Sequence, residues 1–243
     1  AVTYYKKACD GGVLGACEDV GYLYKVGGKG LSKSYANAVT YYKKACDSGA
    51  LGACEAAGGL YFSGDKGLSK SYRSAVTYYK KSCEGGSKNG HACEWVGYLY
   101  EIGGKGLLKS YKSALTYSKK GCTAGKLGAC IRVGKLLKDG LGVKEKNGTG
   151  ALNYFAKACD GGNSHGCYSA AAVYRYGYGG VAKNYWSALQ YHKKQCKLSM
   201  KACYHVGYLY KVGGYGLNTN LGQSRMYYGK ACRAGRRSSC KYD

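Results

Sequence analysis

The chain contains 243 residues, with 38 lysine or arginine residues against 13 aspartate or glutamate residues, which gives a formal charge of +25 at pH 7. No stretch reaches the roughly 18 apolar residues that a membrane-spanning helix requires, so no transmembrane segment is predicted. Proline is absent and glycine occurs 41 times, a composition that favours uninterrupted helices joined by glycine turns. Because Ala1 aligns with Ala38 inside a repeat, we expect the native protein to be longer than this sequence.

A segment of about 37 residues recurs along the whole chain. It is clearest in TYYKKACDGG from Thr3, TYYKKACDSG from Thr40 and TYYKKSCEGG from Thr77. A fixed period of this length predicts one solenoid of stacked units over residues 1–243, rather than separate globular domains. The predicted units are residues 1–30 and 217–243, both partial, and 31–67, 68–106, 107–143, 144–180 and 181–216.

Each unit is predicted to be a pair of helices, so the fold class is all-α. In the second unit the residues Ala38, Val39, Tyr42, Ala45 and Cys46 form an apolar stripe at helical spacing. A glycine turn at Gly49 then leads to a second helix that starts near Leu51. One glycine recurs inside the second helix, which predicts a close approach between helix backbones; it is Gly21, Gly58, Gly97, Gly134 and Gly207.

The 14 cysteines form seven pairs, each joining the end of a first helix to the start of a second helix. Zinc is the competing explanation, but the short C-x-x-C spacings typical of zinc sites are missing, so we predict disulfides and no metal site. An even cysteine count indicates an oxidising compartment: a secreted, periplasmic or cell-surface protein. The predicted pairs are Cys9 with Cys17, Cys46 with Cys54, Cys83 with Cys93, Cys122 with Cys130, Cys159 with Cys167, Cys196 with Cys203, and Cys232 with Cys240.

Positive charge also recurs with the repeat. A lysine stands two residues before every first cysteine, and these are the candidate ligand-binding residues: Lys7, Lys44, Lys81, Lys120, Lys157, Lys194 and Lys230. A neighbouring column holds Lys6, Lys43, Lys80, Lys119 and Lys193. Stacked units would place these side chains on one face, which favours a protein, peptide, anionic glycan or anionic surface as partner. The alternative is that the lysines only solvate a helix face.

Tyrosine forms a further column that includes Tyr4, Tyr41 and Tyr78, for which packing is the favoured interpretation. We expect Tyr22, Tyr98 and Tyr208, on the second helices, to be more exposed and better placed for contact. Nucleic acid is not an expected partner, because no nucleic-acid motif is present.

No catalytic residue and no cofactor are predicted. Only Ser63 with Lys66 and Ser238 with Lys241 fit the S-x-x-K spacing of serine β-lactamases, and neither S-D-N nor K-T-G occurs. The four histidines are scattered among the units, and His192 occupies the Tyr42 column, where packing is the simpler explanation.

The repeated unit reads A-V-T-Y-Y-K-K-A-C, then G-A-C-x-x-x-G-x-L-Y-x-x-G, with a G-x-G-V loop at Gly140, Gly142 and Val143. It resembles the Sel-one-like repeat, a relative of the tetratricopeptide repeat. With its paired cysteines it is similar to the Helicobacter cysteine-rich protein family. The resemblance implies a secreted, right-handed α-solenoid with one disulfide in each hairpin. It also implies penicillin binding or weak β-lactam hydrolysis, or a host-interaction role. The chain departs from the family where Lys33-Ser34, Lys70-Ser71, Lys109-Ser110 and Lys183-Asn184 replace acidic residues.

Three functions are therefore open at the level of the sequence. A secreted scaffold that binds a protein, peptide or anionic ligand on a basic groove is favoured by the repeats, the disulfides and the charge. A penicillin-binding or weakly β-lactam-hydrolysing enzyme depends on the resemblance alone. A structural component that assembles end to end is the third, because exposed solenoid ends can join.

Overall fold

The computed structural model describes residues 2–28, 30–86 and 90–242. Within these ranges the chain forms thirteen α-helices and three short 3-10 helices, which confirms the predicted all-α fold. The predicted loop residue Lys29 and the predicted terminal residues Ala1 and Asp243 lie outside the described residues. The chain divides into two compact units, Ala1–Lys126 and Leu127–Asp243, called the N-terminal and the C-terminal unit below.

The helices alternate between first and second members of a hairpin. In the N-terminal unit they are α1 (Val2–Asp10), α2 (Leu14–Val26), α3 (Tyr35–Asp47), α4 (Leu51–Ser63), α5 (Tyr72–Glu84), α6 (His91–Ile102) and α7 (Tyr111–Thr123). In the C-terminal unit they are α8 (Leu127–Asp139), α9 (Gly148–Asp160), α10 (Ser164–Tyr176), α11 (Tyr185–Leu198), α12 (Cys203–Val212) and α13 (Leu221–Arg233), with 3-10 helices at Tyr178–Gly180, Met200–Ala202 and Arg237–Tyr242. No helix in the described ranges combines the length and the apolar character needed to cross a bilayer.

The hydrophobic stripe predicted from helical spacing is the buried face of α3. Ala38, Val39, Tyr42, Ala45 and Cys46 are all buried, and α4 begins at Leu51 as predicted. Between the two helices Gly49 has a φ of 100°, a left-handed conformation that glycine adopts without steric cost. The apolar spacing therefore determines which face of each first helix enters the core.

Disulfides join the two helices of the hairpins. The predicted pairs at Cys9, Cys46, Cys83, Cys159, Cys196 and Cys232 are bridged to their predicted partners, with Cα–Cα separations between 4.4 and 4.9 Å. Cys122 and Cys130 are disulfide-bonded as well. Closing a loop of this length stabilises the fold by about 2 to 3 kcal/mol per bridge on the chain-entropy model.

The recurring glycine of the second helix shows that the predicted backbone approach is only partly right. A Cβ added at Gly21 or Gly58 would lie 2.8 and 3.0 Å from the ring of Tyr42 and Tyr79, so these glycines make room for an aromatic ring of the next repeat. At Gly97 the predicted approach does occur, because an added Cβ would lie 3.0 Å from the backbone nitrogen of Ser118. At Gly207 both occur, since an added Cβ would lie 3.0 Å from the carbonyl oxygen of Ser224 and 3.1 Å from the ring of Tyr228.

Serine and asparagine residues cap the first helices. Ser34 accepts a hydrogen bond from the backbone N–H of Asn37, as an N-cap residue does, and equivalent caps are Ser71, Ser110, Asn147, Asn184 and Asn220. The turn between repeats contributes too, since the Tyr35 N–H donates to the carbonyl of Lys66 at 3.1 Å.

Candidate binding face

The seven candidate lysines all lie on first helices, at or near the surface. Lys7, Lys44, Lys81, Lys120, Lys157 and Lys194 are exposed, and Lys230 is half-buried. Their positions at the surface leave ligand binding by these lysines a prediction.

Three of these lysines are paired with an acidic residue of the preceding repeat. Lys44 donates to Asp10 at 2.7 Å and Lys81 donates to Asp47 at 2.6 Å in the N-terminal unit. Lys194 donates to Asp160 at 2.6 Å in the C-terminal unit. The side chains are about half exposed, so each pair contributes about 0 to 1 kcal/mol to stability. The sequence offered the signal, an acidic residue 34 positions before the lysine, but the pairing was not predicted.

The second lysine column contacts tyrosine side chains at the junctions between repeats. Lys6 donates a hydrogen bond of 2.7 Å to the Tyr24 hydroxyl, and the Tyr24 ring stacks on Tyr41 at 5.9 Å between centroids. Lys80 lies 5.5 Å above the ring of Tyr117. The hydrogen bond to Tyr24 raises the pKa of Lys6, so this ammonium group is held in its charged form.

The same stacking recurs at other junctions. The stacked pairs of the N-terminal unit are Tyr24 with Tyr41, Tyr61 with Tyr78, and Tyr100 with Tyr117; those of the C-terminal unit are Tyr174 with Tyr191 and Tyr210 with Tyr227. Burial raises the pKa of Tyr78 and of Tyr117. Packing, the favoured interpretation of this tyrosine column, is confirmed for the five first-helix tyrosines in these pairs, whereas Tyr4 of the first repeat is 80% exposed.

Together these groups define the Lys–Tyr face of the N-terminal unit, formed by Lys6, Lys7, Tyr24, Tyr41, Lys43, Lys44, Tyr61, Tyr78, Lys80, Lys81, Tyr100, Tyr117 and Lys120. A cavity of about 320 Å³ opens on this face between α5 and α6. Arg73, Lys80 and Lys81 bring three positive charges to it, Glu84 brings one negative charge, and Tyr100 gives an aromatic wall. The Tyr117 hydroxyl donates to the Glu84 carboxylate at 2.5 Å.

The C-terminal unit has a smaller cavity on its own first-helix surface. It measures about 230 Å³ and is lined by Tyr174, Trp186, Ser187, Gln190, Tyr191 and Lys194. Trp186 is 56% exposed, so an aromatic ring is available for contact there as well.

The three second-helix tyrosines differ from expectation in one case. Tyr22 and Tyr208 are exposed as predicted, at 57% and 36%. Tyr98 is half-buried, because its ring packs edge-on against Trp95 at 5.6 Å and against Phe62 at 6.4 Å. The prediction for Tyr98 was therefore wrong, and the aromatic side chains around it are the reason.

Ser63 and Lys66, one of the two pairs with S-x-x-K spacing, each contact another residue. Ser63 donates its hydroxyl hydrogen bond to the carbonyl of Gly59 at 3.0 Å, and Lys66 lies 4.0 Å from Asp65. The described residues contain no group of histidine, cysteine and acidic side chains suited to a metal ion.

His192 is a core residue, as the packing interpretation predicted. It is 1% exposed, its ring stacks on that of His205 at 4.5 Å, and its Nδ1 lies 3.0 Å from Gln195 Oε1. Burial lowers the pKa of His192 to about 4, and burial together with His192, Arg236 and Arg175 lowers the pKa of His205 to about 3. The stacked pair was not predicted, because its members lie 13 residues apart on different helices of one repeat.

Comparison with known proteins is consistent with this architecture. The model of the Sel1 repeat matches residues 1–13, 15–49, 51–87, 90–126, 128–163, 164–199 and 201–235. A comparison with curated protein sequences found no match.

Solved structures with a similar fold include a protective antigen of uropathogenic Escherichia coli that displays an SLR fold. It has 24% identity and a TM-score of 0.75, over 98% of this chain and 50% of that protein. This chain thus spans half the length of that antigen. A Sel1 repeat protein from Oxalobacter formigenes has 29% identity and a TM-score of 0.61, over 90% of this chain and 84% of its own. Cysteine-rich protein B of Helicobacter pylori has 30% identity and a TM-score of 0.41, over 54% of this chain and 91% of its own. The repeat matches cover most of the sequence, and the chain therefore belongs to the Sel1 repeat family, in a form that carries a disulfide in each repeat.

Proposed function

We propose that this chain is an exported scaffold that binds an acidic segment of a protein or peptide along the Lys–Tyr face of the N-terminal unit. The observation that carries the proposal is the cavity of about 320 Å³ where Lys80, Lys81 and Arg73 meet the ring of Tyr100. Ammonium and guanidinium groups bind carboxylates, and an aromatic wall can hold the apolar part of a peptide.

The ion pairs on this face are compatible with exchange for a ligand. Lys81 is half exposed and already directed toward a carboxylate, that of Asp47. A surface ion pair of this kind contributes at most about 1 kcal/mol, so a ligand carboxylate can replace Asp47 or bind beside it at little cost. The aspartate therefore holds the lysine in place for an incoming acidic side chain.

An extended ligand suits the repetition of these contacts. The grouping of a lysine with two stacked tyrosines occurs at successive junctions of the N-terminal unit, at Tyr24, Tyr61 and Tyr100. Repeat proteins use such periodic surfaces to bind extended partners, one repeat contacting one part of the ligand. The disulfides indicate an oxidising compartment, and we propose secretion, the periplasm or the cell surface as the place where binding occurs.

The test is binding of a dye-labelled peptide that alternates glutamate with phenylalanine, compared with a peptide in which glutamine replaces every glutamate. We expect the acidic peptide alone to bind, with an affinity that falls as salt is raised. The double variant Lys80→Gln and Lys81→Gln should weaken binding roughly 3- to 30-fold, as expected for two partly exposed charge contacts.

The matched control is the double variant Lys66→Gln and Lys70→Gln, which removes the same charge from the same unit outside the cavity. It should change the affinity less than twofold at physiological salt, since only long-range attraction is affected. Equal losses in the two double variants would show that total charge, and not the Lys–Tyr face, determines binding.

A further inference from the structure

A second cavity lies on the second helices of the N-terminal unit, away from the candidate lysines. It measures about 480 Å³, a size in the range of small-molecule sites, and helices α2, α4 and α6 all contribute to it. Its lining residues are Lys25, Tyr35, Gly52, Glu55, Ala56, Gly59, Leu60, Ser63, Tyr79 and His91. This combination of a carboxylate, an ammonium group and aromatic rings does not belong to the Lys–Tyr face.

The carboxylate of Glu55 is fixed in orientation by its neighbours. Ser82 donates to Glu55 Oε1 at 3.2 Å, and His91 Nδ1 lies 3.6 Å from Oε2. The indole N–H of Trp95 donates to His91 Nε2 at 2.9 Å, and because an indole can only donate, the neutral imidazole carries its proton on Nδ1, facing Glu55. A carboxylate has about four acceptor positions, so Glu55 can also accept from a ligand ammonium group.

Lys25 lies about one helical turn further along the cavity than Glu55. Glu18 of α2 lies beside Gly52 of α4, since a Cβ at Gly52 would be 3.5 Å from Glu18 Oε1. Lys25 follows Glu18 by seven residues and therefore lies level with Gly59, which is four residues, or about 6 Å along the axis, beyond Glu55. The two termini of an extended dipeptide are separated by a similar distance, about 7 Å.

Space in the cavity is created by one residue of the repeat. Gly59 occupies the position that Tyr22 and Tyr98 occupy in the adjacent repeats, and an added Cβ there would make only an ordinary contact with the Tyr79 hydroxyl, at 3.5 Å. The tyrosine ring present in the neighbours is thus missing, while Tyr79 and Leu60 give apolar walls.

We propose that this cavity binds a short peptide with free termini, its ammonium group at Glu55, its carboxylate at Lys25 and an apolar side chain against Tyr79 and Leu60. The proposal is independent of acidic-peptide binding on the Lys–Tyr face, so the Lys80→Gln and Lys81→Gln variant should retain it.

The probes are the dipeptide alanyl-phenylalanine, its N-acetylated form and its C-terminal amide, titrated by calorimetry or by NMR on the intact, disulfide-bonded protein. N-acetylation removes the group that meets a partly buried carboxylate, so we expect binding to weaken by about tenfold or more. Amidation removes the partner of an exposed lysine, for which about threefold is expected.

Two variants and their matched ligands complete the test. The Glu55→Gln variant should bind the free and the N-acetylated dipeptide with equal affinity. The Lys25→Gln variant should bind the dipeptide with a free carboxylate and its C-terminal amide with equal affinity. Gly59→Tyr, which introduces the side chain of the neighbouring repeats, should abolish binding while circular dichroism shows an intact fold. The proposal is overturned if the free dipeptide does not bind at millimolar concentration, if the acetylated form binds equally well to the unmodified protein, or if Gly59→Tyr binds normally.

Discussion

The stacked histidines of the C-terminal unit predict a loss of stability at mildly acidic pH. His192 is buried, and its pKa falls from 6.5 to about 4, because burial disfavours the charged imidazolium and Arg175 adds repulsion. His205 faces His192, Arg175 and Arg236, and its pKa falls to about 3. Both rings are neutral in the folded unit over a range where an unfolded chain carries them protonated.

The sign of the effect follows from proton uptake. Between pH 6.5 and about pH 4 the unfolded state binds more protons than the folded state, so the free energy of unfolding decreases as the pH falls. Well above pH 6.5 the histidines are neutral in both states, so they no longer change the free energy of unfolding. A shift from 6.5 to about 4 corresponds to about 3 kcal/mol for His192 alone. His205 adds to this loss in the same direction.

Two tryptophans allow the effect to be assigned to one unit. Trp95 lies in the N-terminal unit and Trp186 in the C-terminal unit, so a Trp95→Phe background reports urea unfolding of the C-terminal unit alone. We expect its unfolding free energy to drop by about 3 kcal/mol or more from pH 7 to about pH 4. His205→Phe keeps an aromatic ring against His192 but removes one titrating group, and should lose clearly less stability. An unfolding free energy that stays constant within 1 kcal/mol over this range would refute the reasoning.

Three further predictions concern the Lys–Tyr face, the disulfides and the glycines of a second helix. Asp47→Asn removes the negative charge that competes with the ligand, while the amide oxygen can still accept the hydrogen bond that orients Lys81, so binding of the acidic peptide should tighten by about two- to fivefold. An unchanged or weaker affinity would contradict a role for Lys81 in binding. Replacing Cys159 and Cys167 together by alanine should reduce the free energy of unfolding of the C-terminal unit by about 2 to 3 kcal/mol. The measurement is Trp186 fluorescence during urea unfolding, and an unchanged free energy would contradict the loop-closure argument. Gly21→Ala should destabilise the N-terminal unit by about 1 to 3 kcal/mol, because the new methyl group meets the Tyr42 ring at 2.8 Å. The control is Gly15→Ala on the same helix, which has nothing within 4 Å of the added Cβ and should be neutral or stabilising. Equal changes in the free energy of unfolding would contradict the packing explanation.

The helices and their buried faces could be predicted from the sequence because the signal is local and repeated. Spacing alone identified Ala38, Val39, Tyr42, Ala45 and Cys46 as one buried stripe, and all are buried. The disulfide partners were equally accessible, since each pair is separated by a single turn. Seven copies of one pattern make such local information unusually consistent.

Contacts between repeats could not be predicted with the same success, because they depend on how far one repeat is shifted against the next. The Lys44 to Asp10 pair links positions 34 residues apart, although the usual repeat interval is 37 residues. Tyr98 was expected to be exposed from its position in the helix, but Trp95 and Phe62 cover it. The cavity at Glu55 and Lys25 depends on the absence of a side chain at Gly59; the sequence shows this glycine, but the residues that surround the space are known only from the structure.

Charge is arranged differently in the two units, and this affects what the lysines can do. In the N-terminal unit the residue after the first cysteine is Asp10, Asp47, Glu84 or Thr123, and Asp10 and Asp47 each hold a lysine of the next repeat. In the C-terminal unit the equivalent residues are Asp160, Lys197 and Arg233; Asp160 pairs with Lys194, whereas Lys197 and Arg233 are basic and cannot neutralise a lysine. Ordered, partly neutralised lysines are suited to selective contact with a carboxylate, because their geometry is defined before binding. Unpaired positive charge acts mainly by long-range attraction, which salt removes. Selectivity for an acidic peptide should therefore persist at physiological salt in the N-terminal unit, which is why the proposed binding face is placed there.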